Sequence, residues 1–223
     1  MSLVCEDSTK LREEVIATAR AMNACGINVN TSGNVSVRCR RGSREGLVIT
    51  PTALPYDALT PGDLAFVALD DASAQGVRAP SSEWRFHVDI LRARSEFSAI
   101  VHTHSRAATA LACHGLGIPP FHYMVAVGGG IDIRCARYAT FGTQQLSDHA
   151  LTALADRKAC VLAHHGVIAC EISLARALAL AIEVEHLAAT YLQARQLGEP
   201  PLLAADEMTR VLEKFKTYGQ TAP

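Results

Sequence analysis

The sequence has little that would mark a nucleic-acid, membrane or disulfide-built protein. Lys and Arg total 21 against 22 Asp and Glu, a formal net charge of −1. No basic field therefore exists to gather nucleic acid, and any anion has to be recognised locally. No apolar run approaches the roughly 20 residues that a membrane span needs; the stretch Ala175–Ile182 is already broken by Arg176. The seven cysteines are odd in number and none form a CxxC pair, which argues against a disulfide framework and a thiolate zinc knuckle. Met1-Ser2-Leu3 is followed by Glu6, Asp7 and Lys10 instead of an apolar segment, so no secretory leader is expected and a reducing cytoplasm is the expected location.

What the chain does have is enough apolar material for a sizeable core. Hydrophobic residues make up 49% of its 223 residues and charged residues 19%, with a mean hydropathy of +0.13. A length below the roughly 250–300 residues at which one core stops growing predicts a single domain over 1–223. The other conspicuous feature is nine histidines, four of them in two tight clusters.

Periodicity predicts a helix over Thr9–Ala24, with Leu11, Val15, Ala19 and Met22 on one face and Gly26 as a stop. Val35–Arg38 and Leu47–Thr50 read as an antiparallel pair of strands joined by a turn over Arg41–Gly46, and Leu64–Leu69 as a further strand. Asp70–Ala79 reads as a polar loop, and a helix is expected from Pro80-Ser81-Ser82 to Arg94, either serine serving as its cap. Strands over Ala99–His102, Ile131–Arg134 and Ala159–Ala163, and helices over Ser105–Cys113, Ser147–Ala155, Ser173–Gln196 and Asp206–Tyr218, complete the reading. Helices and short strands mix without a βαβ rhythm, which predicts a layered α/β or α+β domain.

Three groups of residues carry candidate chemistry. In Val101-His102-Thr103-His104, residues two apart on an extended segment face the same side, so both imidazoles can meet one metal; HxH alone is equally compatible with two surface histidines at a strand end. His164-His165-Gly166 closes an apolar strand, and consecutive strand residues face opposite ways, so one of this pair at most joins the first cluster. Three imidazoles would leave a metal with an open position, as catalysis requires. Glu83 follows as a fourth ligand or general base, although a glutamate near a helix start is also favoured by the helix dipole alone. Ser81 and Ser82 offer hydroxyls and free N–H groups suited to a phosphate, or to plain capping. Asn30-Thr31-Ser32-Gly33-Asn34 and Thr50-Pro51-Thr52 add small polar side chains. Gly128-Gly129-Gly130 lacks a GxGxxG context and reads as a turn. His87, His114, His122, His149 and His186 lack partner spacing and read as packing, surface or locally hydrogen-bonded residues.

These motifs, with Pro80–His87, Tyr138–Thr143 and Glu213–Gly219, resemble the class II aldolase/adducin family over nearly the whole chain, and within it most closely the zinc-dependent sugar-phosphate aldolases that act on L-fuculose 1-phosphate. The resemblance implies a three-layer α/β/α domain with a central mixed, mostly antiparallel sheet. It implies a Zn2+ ion held by His102, His104, His165 and Glu83, with Glu83 leaving the metal to act as acid or base. It assigns Thr31, Gly33, Asn34, Thr52, Ser81 and Ser82 to the substrate phosphate. Tyr123 would handle a proton in a neighbouring subunit's site, and Phe141 and Tyr218 would lie on the aldehyde side. The implied partners are a small phosphorylated sugar and three further copies in a homotetramer with sites at the interfaces, with neither nucleic acid nor membrane. A 4-epimerase or dehydratase of the same superfamily, or a non-catalytic adducin-like domain, is the alternative. Asn30 and Ala53 stand where the resemblance leads one to expect glycine.

Overall fold

The computed structural model describes residues 4–217. Nine strands form one sheet: β1 (Cys5–Glu6), β2 (Asn34–Arg41), β3 (Arg44–Ile49), β4 (Ala65–Ala68), β5 (Ala74–Gln75), β6 (Ala99–Thr103), β7 (Arg134–Ala136), β8 (Ala159–Leu162) and β9 (Gly166–Glu171). Their order is β5-β4-β3-β2-β6-β9-β8-β7, with β1 paired to β2. The β1–β2 and β7–β8 ladders are parallel and the others antiparallel, so the sheet is mixed and mostly antiparallel, as expected. The helices are α1 (Thr9–Ala24), α2 (Trp84–Ala93), α3 (Arg106–Cys113), α4 (Gln144–Ala153), α5 (Leu174–Gln196) and α6 (Ala205–Phe215).

Two cores, one on each face of the sheet, make the three layers. On one face α1, α3, α5 and Met208 of α6 pack with Val35, Val37 and Val101; on the other, Phe86, Ile90 and Leu146 of α2 and α4 pack with Leu47, Ile100 and Ile168. Strand alternation sorts the residues between them. In β2 the odd positions Val35, Val37 and Cys39 enter the first core, while Asn34, Ser36 and Arg38, all buried, face α2. Arg38 donates to the Phe97 and Leu91 carbonyls there.

The helix starts follow their caps. Ser8, Thr143 and Ser173 each accept a backbone N–H three residues on, so α4 begins at Gln144, earlier than the apolar spacing predicts. The expected helix at Ser81-Ser82 starts instead at Trp84, because the Ser81 Oγ accepts the Glu83 N–H and turns the chain before helical bonding sets in. The expected Arg41–Gly46 turn shrinks to Gly42-Ser43, since pairing continues to Arg41↔Arg44. Ile133 pairs only as a bridge to Ile118, and β7 falls three residues later than the expected strand. Three strands were not anticipated: β1 at Cys5–Glu6, β5, inside the polar loop, and β9, a fully buried, largely apolar run that follows the second histidine cluster. No helix among the described residues is long and apolar enough to cross a membrane.

Candidate metal centre and active site

The centre lies where β6, the β8–β9 turn and the start of α2 meet. His102 is the fourth residue of β6 and His104 lies just past its end. His165 comes from the turn between β8 and β9, where His164 adopts a left-handed φ of 54°. That conformation sends the two neighbouring rings apart: His165 joins the cluster, while His164 is exposed and meets the Tyr138 ring edge-on at 5.8 Å. Glu83 enters from the residue before α2, outside the helix proper.

The three imidazoles stand nearly perpendicular to one another, each pair of ring centroids 4.9 Å apart. Their ligand atoms and a Glu83 carboxylate oxygen lie within 4.8 Å of one another. His102 Nε2 is 3.0 Å from His104 Nε2 and 3.1 Å from Glu83 Oε2, and His165 Nε2 is 3.0 Å from Glu83 Oε1. His102 Nδ1 lies 2.8 Å from the Val167 carbonyl, which only accepts, so Nδ1 carries a proton and Nε2 is the ring nitrogen that faces the cluster. Burial, and then the charges of His102 and His165, hold the His104 imidazole down to about 3, in its neutral form. Burial pushes the Glu83 carboxyl up, but the neighbouring His102 and His165 outweigh it and keep it well below the usual carboxylate range. Both carboxylate oxygens thus face imidazoles, Oε2 that of His102 and Oε1 that of His165. Three ring nitrogens and a carboxylate converging on one point are a donor set that a divalent cation satisfies; no cysteine takes part.

Two glycines allow this close approach. A Cβ on Gly33 would lie 2.4 Å from the His102 carbonyl oxygen, and one on Gly166 would lie 2.3 Å from that of Thr103 and 3.1 Å from the His104 ring.

The cluster opens on a cavity of about 390 Å³. Thr31, Ser32, Thr52 and Ser82 contribute hydroxyls to it; Tyr138, Phe141 and His164 contribute rings. Of the residues expected to hold a phosphate, Thr31, Thr52 and Ser82 line this cavity; Ser81 does not, and its Oγ accepts the Glu83 N–H. Gly33 and Asn34 do not line it: Gly33 packs under His102, and the Asn34 Nδ2 donates to Glu83 Oε2 at 3.0 Å. Phe141 is at the cavity, 63% exposed. Tyr123 lies away from it, 50% exposed, beside Phe215 in a separate apolar cleft. Tyr218 lies outside the described residues.

Sequence reasoning missed Ser32, Tyr138 and His164 as lining residues, and Asn28, whose Oδ1 accepts from Ser32 and from the His104 N–H. His87, expected with the other lone histidines to be a packing, surface or locally hydrogen-bonded residue, is fully buried between Ser36 and Asn34. Its spacing four residues after Glu83 was the available signal. Asn30 and Ala53, the two departures from glycine, both have positive φ, 54° and 57°, the region glycine enters without strain.

The Class II Aldolase and Adducin N-terminal domain family model matches residues 13–192. A 5-methylthioribulose-1-phosphate/5-deoxyribulose-1-phosphate aldolase of Rhodospirillum rubrum is 53% identical over 95% of this chain and 94% of its own. An L-fuculose phosphate aldolase of Escherichia coli is 46% identical over 96% of this chain and 97% of its own. A solved L-fuculose 1-phosphate aldolase superposes with a TM-score of 0.88 at 35% identity, covering 94% of this chain and 97% of that one. With its sheet, its histidine and glutamate cluster and these relatives, the chain belongs to the class II aldolase and adducin N-terminal domain family.

Proposed function

We propose that this class II aldolase reversibly cleaves a ketose 1-phosphate whose far end carries an apolar group, giving dihydroxyacetone phosphate and a small aldehyde. The observation that carries this reading is one cavity lined by members of a donor set of three imidazoles and one carboxylate, by hydroxyls and by the Tyr138 and Phe141 rings. The substrates in the relatives' names, a 5-methylthio- or 5-deoxyribulose 1-phosphate and L-fuculose phosphate, are all phosphorylated sugars with a terminal carbon lacking a hydroxyl, which supports an apolar wall. L-Fuculose 1-phosphate, giving L-lactaldehyde, is one member of this class.

His102, His104, His165 and Glu83 would hold the divalent metal, and three imidazoles with one carboxylate suit zinc. When bound, it supplies a Lewis acid that stabilises the negative charge left on the ketone half when the C3–C4 bond breaks. The remaining work falls to the chain. Thr31, Thr52 and Ser82 hold the phosphate with neutral donors, which fits a cavity that no lysine or arginine among the described residues lines. As the C3–C4 electron pair passes to the ketone half, the C4 hydroxyl proton leaves through Tyr123, which relays it to solvent, and Glu83 passes on to C3 a proton it has taken up from solvent, so one proton leaves the C4 oxygen and one is gained at C3; condensation runs the same transfers backwards. Tyr123 is exposed and remote from its own chain's cavity, which supports a homotetramer whose sites each borrow a neighbour's Tyr123.

A coupled assay for dihydroxyacetone phosphate tests the reading, run on L-fuculose 1-phosphate, 5-deoxyribulose 1-phosphate, 5-methylthioribulose 1-phosphate and ribulose 5-phosphate. Cleavage of one or more 1-phosphates that chelation abolishes is the expected result. Epimerisation of ribulose 5-phosphate without fragments would overturn it.

A further inference from the structure

The face of β2 that meets α2 carries a chain of buried polar groups that ends on Glu83. Ser36 Oγ is 2.7 Å from His87 Nδ1, His87 Nε2 bonds the Asn34 Oδ1, and Asn34 Nδ2 is 3.0 Å from Glu83 Oε2. Ser36 and His87 are fully buried, and Asn34 and Glu83 are 2% and 5% exposed. Polar groups this deep are retained when each is matched, and a half-matched chain costs more than an apolar one.

The inventory of donors gives this chain a direction. Burial holds His87 neutral, its imidazole lowered to about 3, so it has one N–H to give. An anionic carboxylate accepts only, which turns the Asn34 Nδ2 toward Glu83 and its Oδ1 toward His87. The Oδ1 accepts only, so the His87 proton sits on Nε2 and Nδ1 receives the Ser36 hydroxyl. All three hydrogens therefore point toward Glu83. The Phe86 ring, stacked on His87 with centroids 4.6 Å apart, fixes the imidazole plane.

We propose that His87 is a positioning residue: through the Asn34 amide it ties down Glu83 Oε2 and so fixes the orientation of the carboxylate that exchanges a proton with substrate. The inference rests on the reading of Glu83 as the acid and base. Turning the amide over would set Oδ1 against the carboxylate, so the donor from His87 is what keeps the Asn34 Nδ2 on Glu83.

Two variants separate this role from packing. His87→Gln keeps a donor able to reach the Asn34 Oδ1; His87→Leu keeps volume and removes the donor. His87→Leu is expected to lower kcat about 10–100-fold with KM for the ketose phosphate and metal content unchanged, and His87→Gln to recover most of that loss. A second readout needs neither metal nor turnover: in metal-free protein the Asn34 side-chain amide hydrogens, followed by NMR, exchange slowly in wild type and His87→Gln and quickly in His87→Leu. Equal kinetics for the two variants, or a protected amide in His87→Leu, would overturn the proposal. If His87→Leu does not fold, Ser36→Ala tests the chain from its far end, where faster Asn34 amide exchange is expected and unchanged exchange counts against it. Failure of the Glu83 reading is seen separately, as normal hydrogen exchange into dihydroxyacetone phosphate by Glu83→Gln.

Discussion

Asn34 and His102 are register partners across the antiparallel β2–β6 ladder. A ligand candidate and the amide that holds Glu83 are thus fixed to each other by strand pairing before any metal arrives, and Gly33, next to Asn34, is what lets the two strands come so close. Replacing Gly33 with alanine sets a Cβ 2.4 Å from the His102 carbonyl, a backbone atom that yields only if the ladder shifts. We expect Gly33→Ala to cost about 1–3 kcal/mol and to lower metal stoichiometry well below one per chain. Thermal melting and metal analysis of purified protein check both, and full occupancy at wild-type stability would contradict the account.

Metal removal follows from the same geometry. Dialysis against a chelator should abolish cleavage, and Zn2+ should restore it. Free metal at about 100 times its Kd should stabilise the fold by about 2.7 kcal/mol, roughly 5–11 °C in Tm for a chain of this size. Cobalt substitution offers a spectroscopic check, since a four-coordinate nitrogen and oxygen site gives visible absorption. A chelated protein that melts and turns over normally would rule out the centre.

If each site draws Glu83 from one subunit and Tyr123 from its neighbour, two inactive proteins should rescue one another. Glu83→Gln and Tyr123→Phe are each expected to lose about 10²–10⁴-fold in kcat. Unfolded together in equal amounts and reassembled as cyclic tetramers, they should recover about a quarter of wild-type activity, because one site in four combines both intact residues. No recovery in mixed tetramers would place Tyr123 in its own subunit's site or outside the chemistry.

The buried His87 predicts a specific loss of stability in acid. Its folded value is lowered to about 3 from an ordinary value of 6.5, so between those limits the unfolded chain binds a proton that the folded chain refuses. Stability from this group is complete above 6.5 and falls as pH drops toward 3. At pH 5 the loss is about 2 kcal/mol, or roughly 4–8 °C in Tm. Melting curves of wild type and His87→Gln at pH 7 and pH 5 isolate it; parallel shifts in the two proteins would show that His87 titrates normally when folded.

Much of the site was legible because its spacing is local. His102 and His104 are two residues apart at the end of a strand, and strand alternation alone puts their rings together. Of the adjacent pair His164-His165 only His165 faces the cluster, and the reason is the left-handed φ of His164 in a turn, not alternation along a strand. Less could be read where the function depends on pairing between distant segments. Asn34 looks like a loop residue beside other small polar residues, and only the β2–β6 register turns it toward Glu83 and away from the cavity. Tyr138 and His164 reach the cavity from separate turns, and nothing in either local sequence says so. In the fold, β9 was overlooked because a short, fully buried apolar run has no period of its own, and the start of α2 was misplaced because Ser81 bonds the backbone locally in place of a helical turn.

The β8–β9 turn assigns neighbouring residues to different tasks: His165 belongs to the metal cluster, and His164 forms part of the cavity wall. One peptide therefore links what the site can bind to how it reacts. The left-handed kink at His164 is strained for a residue with a Cβ, and replacing it with a β-branched residue to reshape the pocket would also swing His165 away from Glu83. Changes in sugar preference can accumulate more freely on the Tyr138–Phe141 side, whose rings belong to no member of the metal cluster. A lineage of such enzymes can thus exchange one aldehyde for another there while the turn carrying His165 stays fixed.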